Sequence, residues 1–264
     1  MENSPPENDP LPHRPLRHRL RQHWAVTFLG RRFSKDQYLG LHLTLGMILS
    51  LAMLGLFAVI GHNVIGDTEL TQFDTRIGLQ LQAHRLASPV FRALFGAITQ
   101  MGSRTALTCV TVLVALLLLL RRHRLLMLVW LTAVVGGGLL DLVAKHAFDR
   151  PRPDFNDLYW VHETSPSFPS GHSTAGLVAY GLLAYLSLLE MPRGQSRAIV
   201  PALAVLILLI GFSRMYLGAH YFSDVAGGFT VGSCWLASVI SAIEVVRRRR
   251  KHLRALAAAQ APAK

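Results

Sequence analysis

An all-α polytopic membrane protein, with six transmembrane helices and a short interfacial helix, is predicted by three features of this chain. Hydrophobic residues make up 51% of its 264 residues and charged ones only 16%, against about 25% charged in soluble domains. Apolar runs long enough to cross a bilayer recur along it, each span needing about 20 residues. The basic residues stand in clusters between those runs, as topology signals do, and not across one folded surface. The net charge of +12 therefore implies no nucleic-acid partner. The partners it implies are membrane lipids.

Taken in order, residues 1–40 form a basic, polar tail without the apolar core of a signal peptide, expected to be mostly disordered. The first span is expected at 41–61, LHLTLGMILSLAMLGLFAVIG. Residues 62–103 are mixed. Within them PVFRALFGAITQM, 89–101, alternates apolar and small residues at helical spacing, which suits a helix lying near the interface. The second span, 104–120, stops at the basic run RRHR. The third, 125–145, carries Gly136, Gly137 and Gly138, small residues that let a neighbouring helix approach closely. A polar loop, 146–171, leads to the fourth span at 172–190. The basic link MPRGQSR precedes the fifth at 199–213, and a brief turn, 214–220, precedes the sixth at 221–246. Residues 41–246 thus make one six-span domain between two basic tails, 1–40 and 247–264. Cys109 and Cys234 both fall in apolar runs and read as buried packing residues, with no disulfide framework and no zinc site.

Orientation follows from charge. With both termini cytoplasmic, nineteen of the 27 Lys and Arg lie on the cytoplasmic side, as cytoplasmic loops and tails require. The run Arg247–Arg250 then reads as a membrane anchor.

This topology brings four separated stretches to the opposite face. The third span exits at Lys145 and the fourth enters at His172; the fifth exits at Arg214 and the sixth enters at His220. Lys145, Arg150 and Arg152 sit in KHAFDRPRP. They are either cations snorkelling from a helix end or, made rigid by two prolines, guanidinium forks for phosphate oxygens. Ser170, Gly171 and His172, in PSGHS, open a helix whose first N–H groups can serve as caps or meet an anion. His220 and Asp224 are four apart, so a helix beginning there puts them on one face. Their pairing admits three readings: a carboxylate that orients a nucleophilic imidazole, a metal pair, or a structural hydrogen bond. Nearby Lys and Arg disfavour the metal.

The spacing K-x6-RP from Lys145 to Arg152-Pro153, then PSGH at 169–172, then SR-x5-H-x3-D from Ser213 to Asp224 resembles the three-part signature of the type 2 phosphatidic acid phosphatase superfamily. The six-span pattern is similar to its bacterial membrane branch, over about 41–246. Vanadium-dependent haloperoxidases share the signature but are soluble, and the apolar runs argue against them. The resemblance implies that His220 attacks phosphorus, that Asp224 orients it, and that His172 protonates the leaving oxygen and later activates water. It implies that Lys145, Arg152, Ser170, Gly171 and Arg214 hold the phosphoryl oxygens, with no metal and no cofactor. The implied substrate is a lipid phosphate or diphosphate, undecaprenyl diphosphate or phosphatidylglycerol phosphate ahead of phosphatidic acid or lipid A phosphates. A phosphotransferase and a lipid-phosphate transporter are the alternatives.

Asp141 lies one helical turn before Lys145. An acid at that depth is usually paired, and a supporting ion pair with Lys145 is expected. Arg150, Asp149, Tyr216 and His146 are further candidates without an assigned role.

Overall fold

The computed structural model describes residues 41–66, 68–154 and 164–259, and no strand occurs among them. The N-terminal tail, the middle of the long polar loop and the last five residues lie outside the described part.

Among the described residues eight helices follow one another: α1 Leu41–Ile65, α2 Glu69–Ala87, α3 Pro89–Gln100, α4 Arg104–Leu120, α5 Arg124–Phe148, α6 Gly171–Glu190, α7 Arg193–Tyr216 and α8 Phe222–Ala259. Five of them (α1, α5, α6, α7 and α8) are long and apolar enough to cross a bilayer. Helix α4 has 17 residues, about 26 Å at 1.5 Å per residue. That is short of a hydrocarbon core about 30 Å thick. Joined with α3, the helix over the stretch expected at the interface, it forms an apolar pair bent by 42°, which brings the candidate spans from five to six when the pair is counted as one broken span. Ser103 sits in the break and caps α4, its Oγ accepting the Ala106 N–H.

Three boundaries differ from expectation. The fifth span starts at Arg193 rather than 199 and carries Pro201 within it. The sixth runs past 246 to Ala259, because Arg, Lys and Ala are good helix formers and the chain has no reason to stop at the bilayer edge. The largest difference is α2. Residues 69–87 read only as mixed sequence, yet they form a 19-residue helix opened by Thr68, whose hydroxyl accepts the Leu70 N–H. Its buried residues are Asp74 and Arg85, so no apolar stripe announces it.

Helix α8 packs along α1, α6 and α5, and α6 also packs on α7 and α5. The tightest part of the core holds Trp130, Ala133, Val178, Leu182 and Ile210. Two of the three consecutive glycines matter here. A Cβ on Gly136 would lie 2.4 Å from the Trp235 ring, and one on Gly137 would lie 3.2 Å from Val178, whereas Gly138 faces open space. The Trp235 indole also donates to the Ala133 carbonyl at 2.8 Å, which seals α8 onto α5. Leucines and valines such as Leu51, Val59, Leu120 and Val143 point outward, where acyl chains replace water. Cys234 is half-buried, but Cys109 is exposed on that apolar surface. A thiol is apolar enough to face lipid, so burial was not required of it.

Candidate active site

Each signature stretch is set by how its helix starts or stops. Helix α5 ends at Asp149, whose left-handed backbone (φ 42°) returns its N–H to the Lys145 carbonyl. Aspartate is among the few residues that visit this region readily. Pro151 and Pro153 then prevent any continuation. Helix α7 ends in a Schellman turn. Gly218 takes φ +74°, its N–H bonds the Met215 carbonyl, and the Ala219 N–H reaches back to the Arg214 carbonyl at 3.0 Å. The His220 N–H shares that carbonyl at 3.2 Å, so the turn fixes the histidine backbone directly. Helix α8 begins two residues later, at Phe222, and Asp224 accepts the Tyr221 N–H at 2.8 Å, one half of a capping box. His220 therefore precedes the helix and does not share a helical face with Asp224, which is what the four-residue spacing suggests.

The turn nevertheless brings the two together. His220 Nδ1 lies 3.5 Å from Asp224 Oδ2 and 3.3 Å from the hydroxyl of Ser167. Ser167 in turn donates to Asp224 Oδ2 in a very short contact. On the other side of the ring, the Arg152 guanidinium approaches Nε2 at 3.3 Å. A guanidinium can only donate, which assigns the lone pair to Nε2 and the proton to Nδ1. Burial pushes the imidazole down to about 4; Arg214 and Arg152 push the same way, and Asp224 partly offsets them. The ring is neutral at ordinary pH.

Of the other expected residues, Arg152 contacts the ring and Arg214 lies close enough to lower its pKa. Arg152 also donates to the Ser165 and Ala219 carbonyls, at 2.8 and 3.0 Å. Ser170 stands just before α6 without a capping bond from its side chain, and its N–H bonds the Asp224 carbonyl at 2.9 Å. This places the start of α6, with Gly171 and His172 as its first two residues, beside the start of α8. His172 packs against Gly102, where an added Cβ would lie 3.1 Å from the ring. Arg214 is buried and donates to the Thr99 hydroxyl at 3.1 Å. Lys145 is buried too, and its ammonium donates to the carbonyls of Pro166 and Pro169, at 3.0 and 2.6 Å. It therefore holds the PSGH loop in place as well as adding charge. Asp141 lies 4.0 Å from that ammonium, and a Cβ on Gly171 would come within 3.0 Å of Asp141. Glycine at that position is what lets α6 start so close to α5.

Four groups to which sequence reasoning gives no role join the site. Arg150 donates to Asp224 Oδ1 at 2.6 Å and to Asp74 Oδ2 at 2.9 Å. Its guanidinium is raised in pKa: desolvation works against the charge, and the two carboxylates outweigh it. Asp74 and Arg85 come from α2, and Ser167 lies two residues before the PSGH run. The sequence signal for Asp74 and Arg85 is no more than a pair of isolated charges in a stretch with little apolar periodicity. Arg85 donates to the Tyr216 carbonyl at 2.7 Å and so braces the Schellman turn. Among the described residues, no group of three His, Cys, Asp or Glu side chains is arranged to hold a metal ion.

The chain is similar to known proteins over the stretch that carries these motifs. The family model described as the PAP2 superfamily matches residues 125–248. The chain is 40% identical to phosphatidylglycerophosphatase B of Bacillus subtilis over 115 residues, 43% of this chain and 56% of that one. It is 36% identical to lipid A 1-phosphatase of Rhizobium etli over 124 residues, 44% of this chain and 49% of that one. It is 30% identical to decaprenylphosphoryl-5-phosphoribose phosphatase of Mycobacterium tuberculosis over 128 residues, 46% and 65% of the two chains. The chain thus spans about half the length of the first two relatives. The crystal structure of a transmembrane PAP2-type phosphatidylglycerolphosphate phosphatase from Bacillus subtilis superposes with a TM-score of 0.70 at 28% identity, covering 75% of this chain and 97% of that one. Residues 125–248, which carry all three motifs and both histidines, are a domain of the PAP2 superfamily.

Proposed function

We propose that this protein is an integral membrane lipid phosphatase that works through a phosphohistidine. The observation that carries the reading is the state of His220, buried and neutral, its Nε2 lone pair turned toward Arg152 and its Nδ1 proton toward Ser167 and Asp224. A nucleophile needs such a tautomer. Nε2 attacks phosphorus, the bond from phosphorus to the lipid oxygen breaks, and His172 gives that oxygen its proton. The Nδ1 proton stays on the ring, where Asp224 offsets the positive charge that forms. A water then loses a proton to His172 and displaces His220, releasing inorganic phosphate. Arg152, Arg214 and Lys145, with Ser170, Gly171 and the first N–H groups of α6, stabilise the three phosphoryl oxygens. Positioned charge of this kind is the main source of rate in phosphoryl transfer. The scheme calls on no metal.

The substrate class is a phosphomonoester or diphosphate of a lipid. The substrates in the relatives' names (phosphatidylglycerophosphate, the lipid A 1-phosphate, a decaprenylphosphoryl ribose phosphate) share only a phosphate on a membrane-anchored body. Undecaprenyl diphosphate and phosphatidylglycerol phosphate are the preferred candidates. The location is the plasma (inner) membrane, with both termini cytoplasmic and the site at the extracytoplasmic face, supported by the bias of basic residues.

His220→Ala, purified and shown to melt as the parent does, is expected to release no phosphate from mixed micelles of either lipid. Near-parental turnover would overturn the assignment of the nucleophile.

A further inference from the structure

One buried carboxylate behind the site has no part in that scheme. Asp74 lies on α2, outside residues 125–248, with its side chain fully buried. Its Oδ1 accepts the Ser223 N–H at 2.9 Å. Its Oδ2 accepts the Ser223 hydroxyl in a very short contact and Arg150 NH2 at 2.9 Å. The other end of the same guanidinium, NH1, donates to Asp224 Oδ1 at 2.6 Å and to Ser223 Oγ at 2.7 Å. One fork therefore spans two carboxylates from different helices, lying 4.3 Å above the Tyr221 ring.

An arrangement of buried charges like this is poor evidence for stability, because apolar side chains of the same volume commonly serve as well. It is well suited to orientation. Asp224 can rotate about its last bond, and which oxygen faces His220 depends on what holds the other. Arg150 holds Oδ1, which leaves Oδ2 to Ser167, the Tyr221 N–H and the Nδ1 side of His220. Asp74 holds Arg150 from behind and grips the first turn of α8 through Ser223. We propose, on the basis of the phosphohistidine reading above, that Asp74 is a positioning residue for the nucleophile, acting through Arg150 and Ser223 on the carboxylate of Asp224.

The electrostatic consequence has a sign. The charges acting on the His220 ring are Asp224 on α8, Arg214 on α7 and Arg152 in the loop after α5. Behind them stand Arg150 and Asp74. Neutralising Asp74 leaves Arg150 to draw on Asp224 alone, so the ring gains less from its carboxylate and holds a proton more weakly. The acid limb of kcat/KM then moves to lower pH, even though catalysis is slower.

The test uses the full-length purified protein, a micellar lipid phosphate and the variants Asp74→Asn, Arg150→Lys and their combination. Arg150→Lys keeps the charge but cannot span two carboxylates. In each single variant kcat is expected to fall about 10- to 100-fold with KM within about threefold, the size of loss that small misplacement of a reacting group produces. The double variant should lose little more than the worse single one, as residues acting as one unit do. Asp74→Asn should also move the acid limb downward. Parental kcat and pH profile in Asp74→Asn, or fully additive losses, would overturn the inference. So would a lower kcat with an unmoved acid limb and a melting temperature lowered in proportion, the mark of a structural role. His220→Ala is measured alongside. If it stays active, the nucleophile reading has failed; if it is inactive while Asp74→Asn behaves as the parent, only the role of Asp74 has.

Discussion

His220 shows how much chemistry one buried ring can carry. Its pKa is pushed from 6.5 down to about 4, first by burial and then by Arg214 and Arg152. The nucleophile proposed above must be unprotonated, so on that reading the acid limb of kcat/KM should lie near pH 4 rather than near the ordinary imidazole value. A profile of kcat/KM against pH, taken over the range in which the protein remains folded, checks this. An acid limb at 6.5 would mean that the ring is solvated in the working enzyme. Stability should follow the same group. Below pH 6.5 the unfolded chain binds a proton that the folded chain refuses until about pH 4. Stability therefore falls across that window as the solution is acidified, by about 1.4 kcal/mol for each pH unit crossed. His220 was legible in the sequence because its chemistry and spacing belong to a motif. Ser167, between His220 and Asp224, was not, since a serine in a Pro-rich loop has no periodicity to mark it.

The connections between helices set the site more than the spans do. The Schellman turn after α7 works only because Gly218 accepts φ +74°. Its Cα also abuts the Arg85 guanidinium, which a Cβ would meet at 2.8 Å. Arg85 cannot simply swing away, being 3% exposed and bound to the Tyr216 carbonyl. Gly218→Ala should therefore cost about 1–2 kcal/mol for the left-handed backbone alone, add the displacement of Arg85, and shift the His220 backbone that hangs from the same turn. A lowered melting temperature together with at least a tenfold loss of kcat is the expected result; a parental value of both would show that the turn tolerates a side chain. Three of the five long spans, α1, α5 and α6, were legible to within four residues, since lipid demands unbroken apolar runs that nothing else produces; α7 begins six residues before its expected start, and α8 was legible only at its start. Helix α2 was not. Its two buried residues are Asp74 and Arg85, and a helix held by an ion pair and a guanidinium–carbonyl bond looks, by hydrophobic pattern, like a loop.

The bundle gathers the C-terminal ends of α5 and α7 and the N-terminal ends of α6 and α8 at a single level, tied by Lys145 to the Pro169 carbonyl, Ser170 to the Asp224 carbonyl and Arg152 to His220. Antiparallel neighbours alternate direction, so this convergence is a result of connectivity and holds for either orientation in the membrane. The orientation itself is a matter of charge. The first turns of α7, with Arg193 and Arg197, and the end of α8, with Arg247–Arg250, belong to the opposite level from His220, and the orientation proposed above, drawn from the basic excess, puts that level in the cytoplasm. Single cysteines can read this out in a background where Cys109 and Cys234 are replaced by Ala. Thr164→Cys, exposed beside the site, should react with a membrane-impermeant thiol reagent in intact spheroplasts. Arg193→Cys, exposed at the far end, should react only after permeabilisation. The reverse pattern would put the proposed phosphatase site on the cytoplasmic face. It would then draw on lipid phosphates as they are synthesised, instead of those already carried across the bilayer.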